Sequence, residues 1–206
     1  IHSLRRQRGK AIKLVVREST TCLRFSDERL LLACGANLII PHNAPLSRCL
    51  TMLESVQGHT YPRHVPSDID LLIEAMRPLN LKGYIPYNTF CETLMSLMNN
   101  TLLPEDSKGI LIALRPVPGL RTEQVLTICR TRRFGDLVTI DENRLTLFLS
   151  SCRINDLDIA LSHIFPLPVD EVFTNRMVWY QDKLIIAELQ QMQSNKPSNW
   201  HLSDRI

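Results

Sequence analysis

The sequence predicts an α/β unit followed by an α+β unit, and three observations carry that expectation. In the first half, short β-branched runs alternate with helical patterns punctuated by proline and glycine. From Gly109 onward the runs follow the order strand, helix, two strands, helix, two strands, the succession of a sheet with its helices on one face. Between these halves, residues 99–108 are polar and hold Pro104, Glu105 and Asp106, the composition of a boundary. The expected division is residues 1–104, then 105–192, then a flexible tail over 193–206 with Trp200 and Leu202 as its apolar anchors.

In order along the chain, Arg5, Arg6, Arg8, Lys10, Lys13 and Arg17 make a basic start, read as a solvated leader or a site for anionic partners. Residues 11–16 form the first strand and 37–40 a second, ended by Pro41. A helix then begins near Asn43 or Ala44 with Pro45 in its first turn. Leu46, Cys49, Leu50, Leu53 and Val56 share one of its faces, and Gly58 stops it. Residues 59–66 read as a Pro- and His-rich turn or linker. Ser67 caps a helix carrying Ile69, Leu72, Ile73 and Met76, and Asn88 caps one carrying Phe90, Leu94 and Leu97, with extended residues 84–87 between them.

The second half opens with a strand over 109–114 and a helix over 122–130. A hairpin pairs 137–140 with 145–149 across Asp141-Glu142-Asn143. Ile154, Leu157, Leu161 and Ile164 mark a helix. Residues 172–180 and 184–189 read as a second hairpin across Gln181-Asp182.

Bulk composition narrows the function classes. With 44% hydrophobic residues and a net charge of +3, the chain has enough apolar content for a core and too little charge to coat DNA or RNA. Its six cysteines are spread without a C-x-x-C and without histidines at ligand spacing, which points to reduced thiols and neither zinc nor disulfides. No apolar run approaches the ~18–20 residues of a membrane helix, so membrane association is expected only through a partner. The chain starts at Ile, which suggests an excerpt of a longer protein.

The residues with the most chemistry lie on the turn before the first hairpin: Arg132-Arg133-Phe134-Gly135-Asp136. An arginine fork donates two parallel hydrogen bonds to guanine O6 and N7, or grips a phosphate. A carboxylate three positions on accepts from the guanine N1 and N2 hydrogens, which arginine cannot serve. Gly135 removes a Cβ that would crowd a ligand or a tight turn. Alone, R-x-x-D is equally a surface ion pair contributing about 0–1 kcal/mol. The pattern recurs, however, as Arg24-Phe25-Ser26-Asp27 before Leu30-Leu31-Leu32. Two such tetrads suit a ligand with two guanine-phosphate faces, or a stacked pair of ligands. Phe25 and Phe134 read as core residues of their turns, with base stacking as the second option.

The order strand, helix, R-x-x-D, hairpin resembles the second half of a GGDEF diguanylate-cyclase domain, in which this tetrad forms the inhibitory site for cyclic di-GMP. The wider run through residues 132–141 and 166–173 is similar to a family of enterobacterial cellulose biosynthesis proteins. The stretch 35–41 and the helix after it resemble the last strand and helix of a degenerate receiver domain. The likeness implies a degenerate receiver-like α/β domain followed by a degenerate GGDEF-like α+β domain. It departs from a working cyclase at two places: the hairpin turn has no glycine, and the first strand ends Leu114-Arg115-Pro116 where a cyclase has a metal-binding Asp.

The resemblance therefore implies a sensor without cyclase activity and without a cofactor or metal. Arg133 and Asp136 are expected to bind cyclic di-GMP, in its dimeric form. Arg24 and Asp27 are expected to supply the second face, and Arg132 charge near the phosphates. Expected partners are subunits of a cellulose synthase and secretion complex, some of them in the inner membrane, with this chain held peripherally on the cytoplasmic side. A homo-oligomer is left open, and DNA and RNA are excluded. Two other classes compete: a protein scaffold in which both tetrads are ion pairs, and a residual Mg²⁺-dependent enzyme using Asp141 and Glu142.

Overall fold

Contacts in the computed structural model, which describes residues 1–20 and 23–194, divide the chain into two units. Of the described residues, one unit holds those within 1–77 and 101–104; the other holds 78–100 and 105–194. The boundary thus differs from the expected one, because 78–100 pack with the second unit. The 99–108 stretch is also no bare linker. Leu102 packs on the first unit's core, Leu103 and Pro104 are buried, and Lys108 is buried in the second unit.

The first unit begins with α1 (His2–Arg8), so the basic start is helical rather than a loose leader. Its anchor is Arg5, only 3% exposed. The Nε and Nη2 groups donate to the Gly35 carbonyl at 3.0 and 2.7 Å, and Nη1 donates to those of Gly9 and Ile12 at 2.9 and 2.8 Å. Nη2 also donates to Asn37 Oδ1 at 2.6 Å, and the guanidinium lies 4.6 Å from the centre of the Tyr61 ring. A guanidinium has five donors and no acceptor, so burying it requires such a shell of oxygens. Gly35 permits the approach: at φ +115°, a Cβ there would lie 2.6 Å from Arg5 Cγ.

β1 (Val15–Arg17) and β2 (Leu38–Ile40) pair in parallel, Val16 opposite Ile39, with α2 (Phe25–Ala33) connecting them. The end of α2 is closed by residues 59–66. The Tyr61 hydroxyl donates to the Leu32 carbonyl at 2.6 Å, and Arg63 Nη2 donates to the same oxygen at 3.3 Å. Tyr61 and Val65 join Ala33, Cys34 and Leu72 in the core, so this presumed linker is a packed segment. α3 (Leu46–Ser55) has Pro45 at its N-cap, and Cys49 is its one buried residue. The expected apolar face is exposed at its leucines, Leu46 at 74% and Leu50 and Leu53 as well, while Cys49 is buried and Val56 half-buried. α4 (Ile69–Met76) is capped by Asp68 rather than Ser67, through an Asp70 N–H donating at 2.9 Å.

The second unit is a five-stranded sheet in the order β3-β5-β6-β4-β7. Its strands are β3 (Gly83–Tyr84), β4 (Gly109–Pro116), β5 (Leu137–Ile140), β6 (Leu145–Ser150) and β7 (Phe173–Trp179). β3 runs parallel to β5, and the other pairings are antiparallel. α5 (Tyr87–Met98) precedes β4, α6 (Thr122–Ile128) follows it, and a 3-10 turn leads into α7 (Leu157–Ile164). The short α8 (Val169–Val172) opens into β7, and α9 (Asp182–Ser194) ends the described chain. The remainder of the expected tail, with Trp200 and Leu202, lies outside the described residues, as does Cys22.

Two expectations are corrected here. Helices cover both faces of the sheet, not one. Ile110, Ile112, Leu114, Val138 and Leu147 pack on Val125, Leu157 and Leu161, while Leu111, Leu137 and Phe148 pack on α5 and α9. Burial on both faces explains why β4, β5 and β6 read as continuous apolar runs. The second correction is the final hairpin. Residues 184–189 belong to α9, because Ile185, Leu189 and Met192 recur at i, i+4 and i+7 and all three are fully buried. At the start of α9, the buried Lys108 donates from Nζ to Asp182 Oδ2 and to the Met98 carbonyl, both at 2.6 Å.

Candidate functional site

The turn before β5 is fixed from two sides. On one side the parallel β3–β5 ladder continues backward. The Gly135 N–H donates to the Leu81 carbonyl at 2.8 Å, and the Gly83 N–H donates to the Asp136 carbonyl at 2.9 Å. On the other side two side chains replace the ladder where β5 begins. Asp136 Oδ1 accepts from the Ser150 N–H at 3.0 Å, and Arg133 Nη2 donates to the Ser150 carbonyl at 2.9 Å. Arg133 Nε stands 3.7 Å from Asp136 Oδ2. The two residues therefore clasp both backbone groups of Ser150 at the end of β6.

Only Gly135 fits between them. Its φ is +88°, and a Cβ would lie 2.8 Å from Ser150 Cβ. The glycine thus serves the tight turn.

The clasp is asymmetric. Asp136 is 4% exposed, whereas 58% of the Arg133 side chain faces solvent. The expected exposed pair is thus half a core interaction: the carboxylate anchors the turn and the guanidinium reaches out. Burial holds the Asp136 carboxyl above the ordinary aspartate value, opposed by the neighbouring Arg133 charge and by the Ser150 N–H. Beyond the Ser150 bond and the Asp136 contact, the Arg133 fork is open for a planar acceptor or an anion. Arg132 is exposed beside it.

Phe134 is 52% exposed, not a core residue of the turn as expected, and Lys82 Nζ lies 5.1 Å from its ring centre. Lys82 escaped the sequence reading because nothing in spacing links it to a turn 50 residues away. Only the β3–β5 pairing does so.

The first tetrad is built differently. Arg24 is the N-cap residue of α2, its carbonyl accepting from the Asp27 and Glu28 N–H groups at 3.0 Å. Asp27 sits in the first helical turn, where a carboxylate suits the helix dipole, and its Oδ1 accepts from Ser26 Oγ at 3.4 Å. Arg24 and Asp27 are exposed, and no ion pair joins them among the described residues. Phe25 is half-buried, 5.9 Å from the Arg29 guanidinium. The structure brings Arg133 and Asp136 together. It does not pair Arg24 with Asp27.

The hairpin between β5 and β6 is self-contained. Asp141 Oδ1 accepts from the Asn143 and Arg144 N–H groups, each at 2.9 Å, and Oδ2 accepts from Arg144 Nε at 3.0 Å. Arg144 Nη1 donates to Glu188 Oε1 on α9 at 2.8 Å. Both Asp141 oxygens are thereby committed to the turn. Among the described residues, no helix is long and apolar enough to cross a membrane.

Comparison with known families matches residues 1–83 to the degenerate REC domain of BcsE and residues 86–206 to its degenerate GGDEF domain. The curated cyclic di-GMP binding protein BcsE of Salmonella typhimurium is 62% identical over 97% of this chain, and that of Escherichia coli K12 is 60% identical over the same share. The Klebsiella pneumoniae protein of that name is 57% identical over 98% of the chain. This chain spans only 38–39% of the length of those relatives.

Proposed function

This chain belongs to the BcsE family, and from that membership we propose that it is a non-catalytic cyclic di-GMP sensor reading the dinucleotide through Arg133 and Asp136. One observation carries the reading: a buried carboxylate and a solvent-facing guanidinium are locked side by side on the Ser150 backbone. A preorganised pair loses little entropy on meeting its ligand. The open edge of Arg133 donates to guanine O6 and N7 or to a phosphate, and Asp136 Oδ2 accepts from the guanine N1 and N2 hydrogens. Arg132 adds charge toward the phosphates.

Cyclase chemistry is not part of this reading. The hairpin lacks the glycines that admit a base in a working cyclase, and the Asp141 oxygens that would hold Mg²⁺ are taken by the Asn143 and Arg144 N–H groups and the Arg144 side chain.

In the full reading the dinucleotide binds as an intercalated dimer, with Arg24 and, less directly, Asp27 serving its second face. Occupancy then regulates cellulose synthesis and secretion through complex subunits, including membrane-bound ones. A scaffold role without nucleotide is the second reading, favoured by the exposed leucines of α3.

Titration calorimetry separates these. Cyclic di-GMP is expected to bind the wild type at micromolar or tighter Kd, with two nucleotides per chain. Arg133→Ala is expected to abolish the heat, and Arg24→Ala to halve the stoichiometry. No heat from the wild type leaves the scaffold. Loss at Arg133 with Arg24→Ala unchanged removes only the composite site.

A further inference from the structure

We propose that Phe134 and Lys82 complete the same site, the ring as a stacking platform for a purine base and the ammonium as a contact for a phosphate; this rests on the nucleotide reading above. Three independent features converge on it. The ring is half exposed on a turn pinned by four hydrogen bonds, two from its backbone (Gly135 to Leu81 and Gly83 to Asp136) and two from the Arg133 and Asp136 side chains to Ser150. The platform is therefore rigid, which a stacking surface requires. Lys82 sits between the two residues that bond this turn, Leu81 and Gly83, so the ladder itself places its ammonium 5.1 Å from the ring centre. The local charge is also unbalanced. Lys82, Arg132 and Arg133 are exposed cations, whereas the acid among them, Asp136, is buried and has its Oδ1 held by the Ser150 N–H.

Chemistry then assigns the parts. Arg133 and Asp136 read an edge of the base, which leaves the outward face of an outer base unserved. An aromatic one position away offers a surface that accepts any purine face, while the neighbouring hydrogen-bonding pair supplies the selection for guanine. The lysine ammonium, a compact and hydrated point charge with no ion-pair partner among the described residues, suits a phosphate oxygen better than a base edge. The pair thus explains recognition of a ligand that is both planar and anionic. An R-x-x-D pair alone does not require both properties.

The test uses the whole chain and cyclic di-GMP. Phe134→Ala removes an exposed ring and is expected to leave the unfolding midpoint within the range of ordinary surface changes. It should weaken binding by roughly ten-fold or more, with Phe134→Tyr restoring affinity and Phe134→Leu failing to do so. Lys82→Met should weaken binding by about five-fold and flatten its dependence on salt. As a direct signal, Phe134→Trp is expected to show indole fluorescence quenched on saturation, measured against the wild-type background. If the wild type binds and Arg133→Ala does not, yet Phe134→Ala and Lys82→Met bind like the wild type and the indole is not quenched, this inference is overturned and the Arg133–Asp136 reading survives. If the wild type does not bind at all, both fall.

Discussion

Gly135→Ala is the most economical probe of the turn. At φ +88° an L-residue is strained by about 1–2 kcal/mol. The new Cβ would meet Ser150 Cβ at 2.8 Å and Oγ at 3.0 Å, a close contact that must be relieved by moving the end of β6. Such overpacking costs about 1–3 kcal/mol. The less flexible unfolded chain offsets about 0.4–1 kcal/mol. The net destabilisation is therefore about 1–5 kcal/mol. With a urea m-value of about 1–3 kcal/mol/M, the midpoint of the second unit falls by on the order of 1 M. Ser150 is what Arg133 and Asp136 hold, so affinity for cyclic di-GMP should fall in the same variant even at zero urea. The assay is urea denaturation followed by amide signals of β5 and β6, with calorimetry alongside. An unchanged midpoint together with unchanged affinity would refute the turn geometry on which the site is built.

Other consequences follow from buried charge. Lys108→Met strands Asp182, whose Oδ1 already lacks a partner, and should cost about 3–5 kcal/mol, or roughly 10 °C of melting temperature. Lys108→Met with Asp182→Asn should recover most of that loss, as calorimetric melting will show. Arg5→Leu leaves the carbonyls of Gly9, Ile12 and Gly35 without their donor, at about 1–3 kcal/mol each where they stay dry. Hydrogen exchange in the first unit should then accelerate by on the order of 100-fold, whereas the exposed Arg8→Leu changes little.

Asp136 carries a pH signature. Because burial raises its folded value, its stabilising contribution is fully present below the ordinary aspartate range and is lost as pH rises through the raised one; Asp136→Asn should remove that slope from urea midpoints. Nucleotide binding needs the ionised acceptor, so wild-type affinity should weaken as pH falls through the same value.

Much of the second unit was legible because its signals are local. The strands over 109–116, 137–140 and 145–150 are short apolar runs bounded by turn residues, and α7 shows its helical period openly. The last element reads as a strand because a short apolar run fits strand or helix. Only Met192, beyond the run, completes the period that makes α9 a helix. What stayed hidden depends on contacts far apart in sequence. Arg5 looks like any residue of a basic cluster until Gly35 and Asn37 arrive beside it. In the site, the R-x-x-D spacing correctly brought Arg133 to Asp136. Spacing could not reveal that Ser150 buries the carboxylate, or that Lys82 lies over Phe134. The matched Arg24 tetrad shows the converse: the same letters open a helix there instead of closing a turn.

The central claim is that the clasp on Ser150 is the nucleotide site. An NMR titration of the full chain with cyclic di-GMP tests it directly. The account predicts saturable shifts concentrated on the amides of Lys82, Arg133 to Asp136 and Ser150, lost in Arg133→Ala. Binding with shifts confined to other parts of the chain, or shifts that persist in Arg133→Ala, would contradict it.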